Sequence, residues 1–335
     1  MAKLRVDALP IPEKLRDRPL PDLDKPYMWS SIGPFVFVHL LALGAFFVEV
    51  PWTAWALCLG VFWVRMFAIT AGYHRYFSHR TFKTSRAFQL VLAFLSMTSS
   101  QRGVLWWAAH HRKHHKFSDT PWDVHSPART GFWHSHFGWV FHPDYDDTDV
   151  KQVRDLARFP ELVWLDKHWM VPPVALAVFC ALVGGWAGFF LGFGLSTAML
   201  WHATFTINSL AHVYGRRRYP TTDTSRNSLL LALLTFGEGW HNNHHYYMGS
   251  ARQGFYWWEI DISYYILKAL SWLGIVWDLR PVPQAVLEEG RRGGAVPSTE
   301  QVIREGIVTR EVNELVLGAD EVGVKDKDEL SKQAA

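Results

Sequence analysis

IGPFVFVHLLALGAFFVEV at residues 32–50, then Pro51, then WTAWALCLGVFWVRMFAITAG at residues 52–72, decide the architecture. Each run has the length of a spanning helix, for which about 20 mostly apolar residues are needed. Backbone in lipid must satisfy its own hydrogen bonds, so two such runs separated by one proline read as a helical hairpin. Residues 169–190 and 191–212 repeat the pattern without a single Lys, Arg, Asp or Glu, with a turn near Gly184–Gly188. Arg65, inside the second run, either snorkels or faces a protein interior. The expectation is an all-α membrane protein with four transmembrane helices in two hairpins.

Residues 88–100 (FQLVLAFLSMTSS) are apolar but too short to cross. Residues 255–277 carry Glu259, Asp261 and Lys268, and each central charge costs roughly 2.5–3.5 kcal/mol on insertion. That stretch is read as an amphipathic helix at the interface. A polar, proline-rich arm occupies residues 1–30, the membrane domain residues 31–283, and a charged tail residues 284–335. The arm is too long and too charged to be a signal peptide. Lys3, Arg5, Lys14, Arg16, Arg18 and Lys25 precede the first span. Arg75, Arg80, Lys83 and Arg86 follow the second, Arg216–Arg218 follow the fourth, and the hairpin turns carry no Lys or Arg. The positive-inside rule therefore places both termini and the long regions 73–168 and 213–283 in the cytoplasm. A net charge of +3 gives no footing for nucleic acid.

Those cytoplasmic regions hold the chemistry. His110-His111-Arg112-Lys113-His114-His115 packs four histidines into six positions of a chain with 17 in all. His111 and His115 are one helical turn apart and share a face. His241-Asn242-Asn243-His244-His245 repeats the H-x-x-H-H spacing, His74 and His79 give H-x4-H, and Asn208 and His212 are again i, i+4. Histidines clustered at metal-ligand spacing in three distant places point to a metal centre. Cys58 and Cys180 both lie in apolar runs, so His, with Asn or water, must hold the metal. An i, i+5 pair would splay on an uninterrupted α-helix, so the helix is expected to end or distort between His74 and His79.

Three histidine boxes set around two membrane hairpins resemble the integral-membrane fatty acyl desaturases, over about Pro26 to Pro283. The phrases AGYHRYFSHR (71–80), HHKFSDTPWDVHSP (114–127), SHFGW (135–139) and GEGWHNNHH (237–245) carry the likeness, which is closest to the Δ9-type branch. It implies a cytoplasmic helical cap holding two irons, with O2 as co-substrate. One iron site would be His74, His79, His111, His115 and His244. The other would be His114, His212, His241 and His245, with Asn208 through water. Neutral imidazoles leave the ferrous charge uncompensated, so Asp119, Asp123 and Glu238 are expected to accept the ligands' remaining N–H groups. The other histidines, His39, His110, His125, His134, His136, His142, His168 and His202, are read as structural.

The resemblance further implies a bent acyl tunnel, with Gln101, Trp107 and Trp201 near the bend. Ala42, Gly44 and Ala45 would leave room at its far end if they face it. The expected reaction introduces a cis double bond, at Δ9, into a saturated chain carried as acyl-CoA; a membrane glycerolipid is the alternative carrier. The basic positions that hold CoA phosphates in animal relatives read Ala109 and Val140-Phe141-His142 here. Lacking flavin, haem or iron–sulfur motifs, the chain would need an external donor, ferredoxin-like or cytochrome b5-like, with its reductase. Lys113, Lys116, Arg216 and Arg217 would form a basic landing patch for it. A di-iron hydroxylase or ketolase is a sister reading. A membrane metal carrier is more remote, because carriers place ligands within their spans.

Overall fold

The computed structural model describes residues 19–293 together with 296, 298, 301 and 302. Most of the N-terminal arm, with Lys3, Arg5, Lys14, Arg16 and Arg18, and the tail beyond residue 302 lie outside the described residues. Among the described residues, three helices are long and apolar enough to cross a membrane: Trp29–Phe47, Trp52–Ser78 and Val171–His212.

The first begins as α1 (Trp29–Leu43) and tightens into a 3-10 turn over Gly44–Phe47. Pro51, extended at φ −71°, starts α2 (Trp52–Phe67), where its missing N–H removes no helical bond. The helix does not stop at residue 72, as expected from hydropathy. It runs on as a π-helix over Ala68–Ser78, and the His79 N–H donates to the His74 carbonyl at 3.2 Å, five residues back.

The third run breaks at Gly185 (φ 57°, ψ −147°), a conformation open to glycine, within the Gly184–Gly188 stretch where the sequence suggested a turn. Beyond it the chain doubles back. A Cβ on Gly188 would lie 2.2 Å from the Cys180 carbonyl oxygen, and one on Gly192 3.3 Å from Cys180 Sγ. On a straight helix residues 180 and 192 would stand about 18 Å apart. The Gly188–Leu195 stretch is a second π-helix. Its glycines let it press against Leu57 of α2 and the Ala42 backbone of α1, the close approach that small residues permit in membranes. Gly188→Ala should therefore lower the thermal midpoint and the yield of monodisperse protein. Gly60→Ala, with nothing within 4 Å of the added carbon, should be neutral or gain up to ~1 kcal/mol. Equal midpoints for the two variants would refute the close-packing account.

Arg65 faces the protein interior. It donates to Thr197 Oγ1 at 2.8 Å, Ser196 Oγ at 2.5 Å and the Thr98 carbonyl at 3.3 Å, tying α2 to the Ser196–Asn208 helix. α3 (Arg86–Met97) is the short apolar helix of the 88–100 stretch, capped by Ser85 Oγ accepting from Phe88 N–H at 3.1 Å. α4 (Val104–Phe117) carries the second box. Gly103 offers no side-chain cap, so Asp166 reaches across to accept from the Leu105 and Trp106 N–H groups at 2.8 and 3.1 Å. Phe62, Met66, Leu92, Met97, Leu105 and Leu165 bury one core between α2, α3 and α4.

The 255–277 stretch is helical only over Ile262–Trp272. Glu259 and Asp261 are fully buried partners of Arg218 and Arg75, so they interrupt the helix from inside instead of lining a wet face. Trp257 and Trp272 stay exposed at its two ends. A two-residue antiparallel pair, β1 (Lys83–Thr84) with β2 (Val276–Trp277), ties this region to the end of the π-helix.

Candidate metal centre

The π-helix settles the first box. Its i→i+5 bonding stacks residues five apart, so His74 and His79 come onto one face with ring centroids 4.8 Å apart. α4 supplies His111, His114 and His115, and the short helix His241–Tyr246 supplies His241, His244 and His245. Asn242 and Asn243 anchor that short helix. Asn242 Oδ1 accepts from the Arg218 and Tyr219 N–H groups at 2.7 and 2.8 Å, and Asn243 Nδ2 donates to Glu259 at 2.8 Å.

Two groups of donors result. His74, His79, His111, His115 and His244 form one, and His114, His212, His241 and His245 the other; within each, the donor atoms all lie within 4.8 Å of one another. In the first group the Nε2 atoms face each other: His74 to His244 at 2.9 Å, His244 to His115 at 2.9 Å, His115 to His111 at 3.0 Å and His111 to His79 at 2.9 Å. In the second, His241 Nε2 is 3.1 Å from His212 Nε2, while His114 Nε2 and His245 Nε2 are buried without a hydrogen-bond partner.

The opposite ring edges meet carboxylates. His114 Nδ1 is 2.8 Å from Asp123 Oδ1 and His245 Nδ1 2.7 Å from Asp223 Oδ2. His212 Nδ1 is 3.4 Å from Asp119 Oδ2, and His74 Nδ1 contacts Glu238 Oε2. Carboxylates accept only, so the proton of each ring sits on Nδ1 and Nε2 presents a bare lone pair. His74 and His212 aim that lone pair at the Nε2 atoms of His244 and His241, across 2.9 and 3.1 Å. Nitrogen donors bound at about 2.1 Å to one ion stand about 3 Å apart at right angles. These donor sets fit metal ions.

The electrostatics agree. His79, His111, His115, His241 and His244 are held well below the ordinary imidazole value, first by burial and then by neighbouring rings. Burial alone would raise Asp119 and Asp223, but His212 and His245 hold them far below the usual carboxylate range. Glu238 is lowered against the same burial by His74 and Arg75. The unfolded chain protonates its imidazoles below about pH 6.5, whereas these folded ones stay neutral. Their contribution is therefore fully present above that pH and is lost as pH falls, with the depressed carboxylates adding to the loss below about 4. Chelator-treated protein should show a thermal midpoint that drops steadily on acidification through that window; a rising midpoint would contradict it.

Asp119, Asp123 and Glu238, singled out from the sequence, each lie against a ring nitrogen. Asp223 was missed, as was Gln253, whose Nε2 lies 3.1 Å from His74 Nδ1. No local spacing marks Asp223, because its contact with His245 is made across 22 residues by the tertiary fold. His125 is not a plain loop residue. It is buried, stacks on His114 at 4.2 Å and shares a compact group with His114 and Asp123. His110, on the other face of α4, donates from Nδ1 to the Trp106 carbonyl at 2.8 Å and joins neither donor group. His39, His202 and His136 form a separate chain, at 3.0 and 3.1 Å, ending on Ser209 Oγ.

A cavity of about 500 Å³ touches both donor groups through His74, His111 and His241. Gln101, Trp107, Trp201 and Asn208 all line it. Gln101 bridges its walls, accepting from Trp107 Nε1 at 3.3 Å and donating to Thr204 Oγ1 at 2.9 Å. Its apolar lining includes Ala177, Phe189 and Phe193; Ala42, Gly44 and Ala45 are not part of it. Gly44 instead packs on the Phe190 ring, which its added Cβ would strike at 2.5 Å.

Residues 50–273 match the family described as fatty acid desaturase. The sn-2 palmitoyl-lipid 9-desaturase of Nostoc sp. (strain 36) is 36% identical over 256 residues, covering 74% of this chain and 88% of that protein. Delta-9 acyl-lipid desaturase 1 of Arabidopsis thaliana is 38% identical over 248 residues, covering 73% and 81%. Acyl-CoA 5-desaturase AL21 of Anemone leveillei is 35% identical over 268 residues, covering 77% and 83%.

Proposed function

This chain belongs to the fatty acid desaturase family, and from that premise we propose that it introduces a cis Δ9 double bond into a saturated acyl chain. The observation that carries the reading is one apolar cavity in contact with both histidine groups. His74, His79, His111, His115 and His244 would hold one iron; His114, His212, His241 and His245, with Asn208 through water, would hold the second. Bound iron would supply the O2- and electron-dependent chemistry that dehydrogenates a pair of unactivated methylenes. The protein's own part is positional. Asp119, Asp123, Asp223 and Glu238 fix the ring tautomers. Trp107 and Gln101 crowd the acyl chain beside His111, and the aromatic walls exclude water.

The chain crosses the membrane four times, the doubled-back Val171–His212 run counting twice, with both termini and the donor groups on the cytoplasmic side. Tunnel walls rather than chain length set the bond position, because the head is fixed at the mouth and the closed end limits only how long a chain fits. Palmitate and stearate fed to an expressing host that lacks its own desaturase should both gain the double bond at Δ9. Bonds at Δ9 in one and Δ11 in the other would mean counting from the methyl end; oxygenated products would favour a hydroxylase. The carrier is a CoA thioester or a glycerolipid. A relative named for acyl-CoA supports the first, and two named for acyl-lipid chains support the second.

A further inference from the structure

The cavity reaches the outer surface sideways. Phe37 on α1, and Met170 and Val174 at the start of the third long helix, line it although they are 59%, 47% and 52% exposed. A side chain that is both cavity wall and outer surface marks an opening. This one lies between the N-terminal halves of two helices that are long and apolar enough to cross a membrane. Trp29 begins one of them, 81% exposed, and Trp169 stands just before the other, as Trp does at head-group depth.

The polar edge of the opening is built around Arg102. Its Nη2 donates to Asp146 Oδ1 at 2.5 Å and Ser31 Oγ at 3.0 Å, while Nε and Nη1 make no hydrogen bond among the described residues. The guanidinium lies 5.6 Å over Trp106 and 5.5 Å over Trp169. Arg102 holds a left-handed backbone (φ 70°), costly for a non-glycine residue, with the Tyr73 hydroxyl donating to its carbonyl at 2.7 Å. Pro34 lacks the N–H that would bond the Ser30 carbonyl, and both residues line the cavity. Arg102 is the one Lys or Arg among the described lining residues, against the acids Asp146 and Glu238. That single cation is enough for one phosphate or ester oxygen at the rim.

We propose that this opening is a lateral gate admitting the acyl chain of a membrane phosphoglycerolipid, and that Arg102 is the positioning residue that holds its phosphate or ester at the rim. The inference rests on the desaturase reading and names the substrate class. The free Nε and Nη1 donors make a charge-assisted contact to the lipid oxygen, while Asp146 and Ser31 keep the guanidinium aimed.

Two measurements on the full chain test it. In phosphatidylcholine vesicles, a phosphatidylcholine with a photoactivatable group mid-chain should label Phe37, Val174 and inner cavity residues, and stearoyl-CoA should not compete. Label restricted to lipid-facing residues off the cavity, such as Leu40 and Val178, overturns the gate. With an electron-donor system, Arg102→Leu should raise KM for stearoyl-phosphatidylcholine roughly 10-fold, the loss of a charge-assisted bond, with kcat retained, and Arg102→Lys should recover most of it. An unchanged KM, or loss of kcat alone, overturns the role of Arg102. Stearoyl-CoA turned over in lipid-free detergent as fast as the phospholipid overturns the gate but leaves the desaturase reading standing. Cavity labelling without desaturation of either substrate upholds the gate and overturns that reading instead.

Discussion

Alanine at any of His74, His79, His111, His114, His115, His212, His241, His244 or His245 is expected to abolish desaturation and to lower bound iron from two per chain. Each ring donates through one nitrogen to a site with its donor atoms within 4.8 Å of one another, so its removal leaves an incomplete site, not a slightly weaker one. Removing an outer carboxylate, as in Asp123→Ala, should cost roughly 10–100-fold in metal affinity. His168→Ala is the control, since that ring is exposed and donates only to the Trp164 carbonyl at 2.8 Å. Iron content by elemental analysis, alongside product formation, is the measurement. Two or more of the nine variants at full activity would refute the assignment.

Purified, iron-loaded protein given substrate and O2 alone is expected to make no product, and to turn over when a ferredoxin-like or cytochrome b5-like donor and its reductase are added. The reaction consumes two electrons, and the two buried cysteines are too few for a four-cysteine cluster. Lys113, Lys116 and Arg216 leave α4 and the segment after His212 with cationic side chains for an acidic partner. Turnover should therefore fall as salt rises, at fixed donor concentration. Sustained turnover without donor would remove the requirement, and a flat salt profile would remove the patch.

Much of this was legible in residue order because it depends on length and spacing. Apolar runs at 32–72 and 169–212 read directly as long helices, and matched H-x-x-H-H boxes read as ligands because α-helical periodicity is fixed. Pairing across distance was not legible. Nothing local says that Asp166 caps α4, or that Asp223 meets His245, since both contacts are made by the tertiary fold. The charges of the 255–277 stretch were visible but not their direction. Glu259 and Asp261 point inward to Arg218 and Arg75, and hydropathy does not separate a buried ion pair from a solvated one. Gln101, Trp107 and Trp201 were placed by resemblance, whereas the far wall guessed from small residues went astray: Gly44 is small to admit Phe190, not a substrate.

The π-helix of Ala68–Ser78 also bears on portability. On an α-helix five residues turn through about 500°, leaving the second side chain about 140° past the first. The spacing H-x4-H is thus meaningful only in a backbone that closes its hydrogen bonds five residues back. A designer grafting this iron site onto an ordinary helical bundle would have to delete one residue and write the box as H-x3-H.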